Sequence, residues 1–189
     1  MLFFNQAFAQ RMEVRFQHLT TSDGLTQNVV ETITQDSAGF MWFGTLEGLN
    51  RYDGQKIVQF RHNVKDTTSL SNGEINDLYN DSRGRLWVGT SKGINRYCHA
   101  QKIFREYKAT NNREINLGEA YCNVIHETRD STIWFGTYSG IARFNEKTRT
   151  LEYANPSGYE PEGSGIIYDI AQPCTDTLLL GTAAGIYKY

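Results

Sequence analysis

Short apolar runs separated by polar turns set the pattern of this chain. A typical stretch is Met41–Thr45, which is followed by two variable residues, a glycine and a second run, Leu49–Tyr52. Runs of this length, rich in aromatic and β-branched residues and bounded by turn-forming residues, are typical of β-strands. The pattern therefore predicts a strand, a tight turn and a second strand, repeated along the chain.

This strand–turn–strand unit recurs four times. Its Gly-Thr pair starts at residues 44, 89, 136 and 181, at intervals of 45, 47 and 45 residues. The recurring structural residues are Trp42, Gly44, Thr45, Gly48, Trp87, Gly89, Thr90, Gly93, Trp134, Gly136, Thr137, Gly140, Gly181, Thr182 and Gly185. A period of this length fits a blade of four antiparallel strands, so the sequence predicts an all-β fold of β-propeller blades.

A further strand precedes each copy and carries two apolar residues spaced by three. The pairs are Val30 and Ile33, Ile75 and Leu78, Cys122 and Ile125, and Ile167 and Ile170. Since successive side chains of a strand alternate, this spacing predicts that the two members point to opposite faces, between neighbouring blades. The glycine inside the following strand predicts a close approach of the adjacent blade.

Blade limits follow from these strands and from the turns between them. Asp36 and Asp81 precede glycine-containing turns, which favours Asx turns over a role as general acids. We expect blades at about 28–62, 73–109, 120–155 and 165–189, with residues 14–19 as an N-terminal strand that closes the last blade. Residues 1–13 form a leader, which is either the remnant of a signal peptide or a chance apolar N-terminus.

Composition excludes several classes of function. The net charge is −2, and no Lys/Arg cluster of the kind that neutralises phosphates is present, so no nucleic-acid contact is expected. No apolar run approaches the ~18 residues of a membrane helix. Three cysteines without a C-x-x-C pair and four histidines without ligand spacing predict neither metal nor cofactor. No nucleophile elbow or phosphate loop is found, so no catalytic residue is predicted and the segment is not expected to be an enzyme.

Several segments resemble the two-component regulator propeller repeat: Asp23–Leu25, Gln35–Thr45, Gly48–Gly54 and Ser69–Asn72. The resemblance implies the periplasmic sensor region of a hybrid two-component system (sensor histidine kinase and response regulator) of Bacteroidetes. It also implies that the four repeats are part of a larger, seven-bladed propeller. Further blades and signalling domains would then be partners within a membrane-anchored homodimer, with histidine kinase activity outside this chain.

The same resemblance implies a ligand, namely oligosaccharides whose detection controls polysaccharide utilisation genes. Propeller ligands usually contact loops at one end of the central channel, and Asn, Gln and Tyr suit sugar hydroxyls because they donate, accept and stack. The candidate ligand-binding residues are Gln27, Asn28, Asn72, Tyr121 and Tyr159. The recurring cations Arg51, Arg96, Arg143 and Lys188 are expected to make structural contacts, such as salt bridges between blades, rather than a ring for an anionic sugar.

Two other functions remain open at the level of the sequence. A propeller can act as a free-standing scaffold for protein interactions, and some propellers are polysaccharide lyases. The leading hypothesis is an N-terminal fragment of a periplasmic sensor, with the scaffold as the alternative and the lyase third.

Overall fold

The computed structural model describes residues 16–107, 121–154 and 165–189, and apart from one short 3₁₀ turn, Thr21–Asp23, its regular structure is all β. The first two sheets comprise β1 (Val30–Gln35), β2 (Met41–Thr45), β3 (Gly48–Tyr52), β4 (Ile57–Phe60), β5 (Ile75–Asn80), β6 (Leu86–Thr90), β7 (Gly93–Cys98) and β8 (Ile103–Tyr107). The last two comprise β9 (Cys122–Glu127), β10 (Ile133–Thr137), β11 (Gly140–Asn145), β12 (Thr150–Ala154), β13 (Ile167–Cys174), β14 (Thr177–Thr182) and β15 (Gly185–Lys188). The predicted all-β fold is confirmed.

Each sheet is an antiparallel meander whose strands follow chain order. Three sheets have four strands, and the described part of the fourth has three. The first strands of successive sheets contact one another in the order β1, β5, β9 and β13. These strands are therefore the inner strands, and each sheet extends outward from them as a propeller blade does.

A β-bulge at each inner strand corrects one prediction. Ile75 pairs with Thr90 and Asp77 pairs with Gly89, so Asn76 is an extra residue between two ladder positions. The extra residue restores Ile75 and Leu78 to the same face, and both pack in one cluster with Trp42 of the preceding sheet. The apolar pair therefore does not straddle the strand. The opposite face carries the polar residue Asp77.

Three hydrophobic clusters fill the spaces between neighbouring sheets. Each joins a tryptophan on the second strand of one sheet to the inner strand of the next sheet. Trp42 lies 5.0 Å from Tyr97, Trp87 lies 4.9 Å from Phe144, and Trp134 lies 5.5 Å from Tyr189, measured between ring centroids. The three tryptophans are thus core residues that hold one sheet to the next.

The glycine two residues after each tryptophan makes this contact possible. A β-carbon at Gly44 would lie 2.6 Å from Ile75 Cγ2, and one at Gly136 would lie 2.7 Å from Ile167 Cγ2. Both distances are far below van der Waals contact, so only glycine admits the inner strand of the next sheet. At Gly181, by contrast, the nearest atoms belong to Asp169 of its own sheet and lie 3.7 Å or more away.

The row of sheets is open at both ends within the described residues. β13 makes no contact with β1 comparable to those between successive inner strands, and Ile33 and Ile186 are exposed on the two outer faces. The described part of the predicted closing strand, residues 16–19, forms no strand, and Phe16 is 95% exposed. The edge that this strand was expected to join, β15, belongs to the sheet at the other end of the row. The leader, 1–13, lies outside the described residues.

Candidate ligand-binding face

One end of the sheets collects the residues that the sequence analysis singled out. In each sheet the inner strand is antiparallel to the second strand. It therefore starts at the end of the sheet where the second strand turns into the third. We call this end, formed by residues 27–29, 46–47, 72–74, 91–92, 121 and 138–139, the inner-strand face. Its side chains come from three successive sheets.

Two stacked tyrosines are the main feature of the inner-strand face. The rings of Tyr121 and Tyr138 lie 4.2 Å apart between centroids with planes 22° apart, and the Tyr138 backbone amide donates to the Tyr121 carbonyl over 3.0 Å. Tyr138 is 43% exposed. The pair offers a flat aromatic surface at the edge of the face, which is the kind of surface on which a sugar ring stacks.

The Glu74 carboxylate fixes Tyr121, which precedes the inner strand of the third sheet. The Tyr121 hydroxyl donates to Glu74 Oε1 over 3.3 Å, across the boundary between two sheets. Burial, followed by the negative charge of Glu74, raises the pKa of Tyr121 to about 12. The hydroxyl therefore stays protonated at neutral pH and acts as a hydrogen-bond donor.

Asn72 is bonded to the backbone of the same residue, Glu74. Its Oδ1 accepts from the Glu74 backbone amide over 2.8 Å and from Ser91 Oγ over 3.0 Å. These bonds fix the side chain in the second sheet, next to the start of β5. Among the described residues no group bonds to Asn72 Nδ2, so that amide is available to a ligand.

The other predicted ligand residues lie apart from this group. Asn28 accepts from the Thr21 amide over 2.8 Å, which ties it to the 3₁₀ turn of the first sheet. Gln27 is half-buried, and its Oε1 is buried without a partner. The structure thus links Asn72 and Tyr121 through Glu74 and shows no such link for Gln27 and Asn28. Tyr159 lies outside the described residues.

The loops of this face are held by residues whose role the sequence analysis missed. Buried Asn50 accepts from the Thr26 amide over 2.9 Å and donates to Thr26 Oγ1 over 2.8 Å. Asn95 binds Ser71 in the same way over 3.1 and 2.6 Å. The Asn-Arg-Tyr sequence repeated in the first two copies is the signal from which these hydrogen-bonding asparagines could have been predicted.

Among the described residues, the recurring arginines make no salt bridge between blades, which corrects that expectation. The Arg51 guanidinium lies 4.5 Å from the centroid of the Phe40 ring, and that of Arg96 lies 5.5 Å from the Tyr107 ring. Arg143 pairs with Glu152, whose strand neighbours its own, over 3.1 Å. Each therefore contacts its own sheet: Arg51 and Arg96 lie over aromatic rings, and Arg143 pairs with a carboxylate of the neighbouring strand.

The described ranges lack both a metal-binding cluster and a membrane-spanning helix. They contain no group of three or more His, Cys, Asp or Glu that could hold a metal ion. They also contain no helix of the length and apolarity that a bilayer crossing requires. The groups described at the inner-strand face offer aromatic stacking together with hydrogen bonding by Tyr121, Glu74 and Asn72.

Comparison with known proteins identifies the fold of the chain and the repeat family that two of its segments match. In fold the chain is a β-propeller segment, and the match extends beyond fold alone. Residues 24–47 and 69–92 match the family model described as "Two component regulator propeller". These two segments thus match the two-component regulator propeller repeat, and the resemblance seen in the sequence is confirmed.

The relatives agree with this assignment. The extracellular domain of a hybrid two component system from B. thetaiotaomicron is 26% identical, with a TM-score of 0.80, and the match covers 91% of this chain. A stretch of 63 residues, 33% of this chain, is 43% identical to "Histidine kinase P4" of Formosa agariphila. Virginiamycin B lyase from Staphylococcus aureus, at 17% identity, a TM-score of 0.59 and 85% coverage of this chain, shares the fold alone.

The chain is short beside these proteins. It spans 24% of the B. thetaiotaomicron domain, 5% of the histidine kinase and 55% of the lyase. What the comparisons establish is a propeller domain akin to the sensor regions of hybrid two-component systems.

Proposed function

We propose that this chain is part of the periplasmic sensor propeller of a hybrid two-component system and that its ligand is an oligosaccharide. The parent would be a membrane-anchored homodimer in which further blades and signalling domains, including the kinase, lie outside this segment. Ligand binding would control genes for polysaccharide utilisation. The segment itself would bind without catalysing a reaction.

The stacked pair of Tyr121 and Tyr138 carries the proposal. Stacked aromatic rings present an apolar surface to the C–H face of a sugar, and the neighbouring polar groups are complementary to its hydroxyls. Towards a ligand, the Glu74 carboxylate can accept hydrogen bonds and the unbonded Asn72 Nδ2 can donate them. A site with one aromatic surface and few polar groups suits a neutral sugar unit of an oligosaccharide.

The test is calorimetric titration of the 189-residue chain with neutral oligosaccharides prepared by partial hydrolysis of different plant and algal polysaccharides. We expect one of the preparations to bind. Tyr138→Ala should weaken that binding by about tenfold or more, since an aromatic contact is worth roughly 0.5–1.5 kcal/mol beyond its buried area. Leu46→Ala is the matched control, because Leu46 occupies the position of Tyr138 in the first sheet and is likewise exposed.

Two outcomes would contradict the proposal. If Leu46→Ala weakened binding as much as Tyr138→Ala, the tyrosine pair would not be the binding surface. If no oligosaccharide bound while a protein of the same periplasm did, the chain would be the interaction scaffold that the sequence analysis kept as the alternative.

A further inference from the structure

The tryptophan of the third sheet has lost two partners that its equivalents keep. Trp42 Nε1 donates to Asp36 over 2.7 Å, and Trp87 Nε1 donates to Asp81 over 2.8 Å. Thr128 stands at the corresponding position, six residues before Trp134. Its hydroxyl donates to Asp130 and to the Thr132 carbonyl instead.

The second lost partner is an aromatic ring on the outer strand. Phe60 lies 5.6 Å from Trp42 and Tyr107 lies 5.6 Å from Trp87, between ring centroids. In the first two sheets these aromatic residues pair with Leu49 and Ile94 of the third strand. The equivalent third-strand residue in the third sheet is Ile141, and it pairs with Ala154. The packing around Trp134 is therefore reduced on two sides.

A cavity of about 170 Å³ lies beside Trp134 at the position of the first missing partner, where Thr128 replaces the aspartate. Trp134, Thr128, Asp176, Leu178 and Tyr189 are among the residues that line it. It opens at the end of the sheets opposite the inner-strand face, because Thr128 follows the end of β9 whereas Tyr121 precedes its start. The two sites are thus separate.

Trp134 lines this cavity, and its indole N–H has no partner among the described residues. Trp134 is only 7% exposed, and no hydrogen bond to its Nε1 is found among the described residues. Its ring meets Tyr189 at 71°, close to the 62° and 63° angles of the equivalent pairs of Trp42 and Trp87. In the first two sheets the indole N–H donates to a carboxylate at the position of Thr128, and Thr128 lines the cavity together with Trp134.

The surrounding charges define what can bind there. Four of the five backbone amides of the Thr128–Thr132 turn are already bonded, for example Thr132 N to Asp130 Oδ1 and Arg129 N to Gln172 Oε1. The charged groups that line the cavity are the carboxylates Asp130 and Asp176. An anion would be repelled, whereas a hydroxyl can accept from the indole and donate to Asp176.

We propose that the cavity beside Trp134 is a binding site for one ring of a neutral polyhydroxy ligand, either a free monosaccharide or the end of a longer sugar. The volume is below the ~300 Å³ at which pockets for larger ligands begin, so a single ring is the expected size. Trp134 and Tyr189 supply the apolar wall, and the indole N–H supplies the directional contact. The proposal is independent of the oligosaccharide site at the inner-strand face.

The experiment follows the three indole N–H signals of the 189-residue chain in ¹H–¹⁵N spectra during titration with D-glucose, D-galactose, D-mannose and D-xylose. Trp134→Phe assigns the third signal. We expect at least one of these sugars to shift the Trp134 signal in a saturable manner and to leave the signals of Trp42 and Trp87, which are already bonded, unchanged. Comparison with the methyl glycosides distinguishes a free reducing sugar from the end of a longer one.

Two variants complete the test. Thr128→Asp supplies the carboxylate found in the first two sheets and should abolish the shift. Asp176→Asn changes an exposed turn residue, so the fold is retained, and affinity should fall by about tenfold with the loss of a hydrogen bond to a charged group. Tyr138→Ala should leave the Trp134 shift intact, which separates this site from the inner-strand face.

The proposal is overturned if none of the four sugars shifts the Trp134 signal. It is equally overturned if sodium acetate shifts that signal and the sugars do not, because the site would then select a carboxylate. A shift that persists unchanged in Thr128→Asp would place the binding elsewhere.

Discussion

A single hydrogen atom at the in-strand glycines decides how closely two sheets approach. At Gly44 the space for a β-carbon is occupied by the Cγ2 atoms of Ile75 and Thr32, each 2.6 Å away. At Gly181 the same space is open to 3.7 Å. The same residue type therefore carries a packing requirement in one sheet and none in another.

Gly44→Ala should lower the free energy of unfolding by about 1–3 kcal/mol, because a methyl group is forced into a filled core. Gly181→Ala is the matched control and should be neutral or slightly stabilising, since alanine restricts the unfolded chain and meets nothing in the folded one. Urea unfolding of both variants measures the difference. Equal destabilisation by the two substitutions would contradict the role assigned to the gap.

The raised pKa of Tyr121 at the inner-strand face predicts that the free energy of unfolding depends on pH. The pKa of Tyr121 is about 12 in the folded chain against an ordinary value of 10.0. Between these values the folded state keeps a proton that the unfolded state has lost. Stability from this group is therefore complete below pH 10 and falls as the pH rises toward 12.

Urea unfolding at several pH values from 9 to about 12 compares the wild type with Tyr121→Phe. The wild type should lose stability with pH more steeply than the variant over this range. Parallel pH profiles of the two proteins would show that Tyr121 does not carry the shifted pKa.

At the scale of elements, the bulge residue of two inner strands, β5 and β9, connects its strand to the next sheet. Asn76 Nδ2 donates to the Cys122 carbonyl over 3.0 Å, and Asn123 Nδ2 donates to the Ile167 carbonyl over 2.9 Å. Glu31 occupies the same position in β1. A carboxylate can only accept, so the first and second sheets lack this bond.

Glu31→Asn should therefore stabilise the chain by about 0.5–1.5 kcal/mol, the worth of one hydrogen bond, by adding a donor opposite the Ile75 carbonyl. Glu31→Ala removes the carboxylate without adding a donor and serves as the control. Thermal and urea unfolding measure both. If the two variants are equally stable, the bulge amide does not strengthen the contact between sheets.

The bulge also marks where sequence reasoning stopped. The glycines, tryptophans and turn residues recur at fixed offsets, and they predicted the strands and the repeat. With uninterrupted alternation of side chains, the spacing of Ile75 and Leu78 predicts that they point to opposite faces of the strand. The one residue inserted by the bulge places them on the same face. Tyr121 was singled out, whereas Tyr138 was not, because their pairing requires knowing that the start of β9 lies beside the turn after β10.

At the scale of the whole molecule, the four sheets differ in how many neighbours they have. The second and third sheets pack on both faces, whereas the first and last each leave one face uncovered in the described part of the chain. Buried strands with neighbours on both faces open less often than strands with one. The position of a sheet in the row thus sets its local stability.

Hydrogen exchange followed by mass spectrometry should show the strongest protection in β6 and β10, which belong to the two inner sheets, and faster exchange in β2 and β14. All four are second strands with the same two partners in their own sheets, so they are matched in backbone hydrogen bonding. Equal protection in all four would mean that the exposed faces are covered in solution.

The contact between sheets has a direction. At each of the three interfaces between described sheets, the later sheet offers an apolar inner strand and the earlier sheet a glycine gap, so the third interface repeats the first with different residues. A gene segment of one period could therefore be duplicated or deleted at any point, and the sheets on either side would still meet through the same kind of joint. A chain built in this way can change its number of repeats without first inventing a new interface.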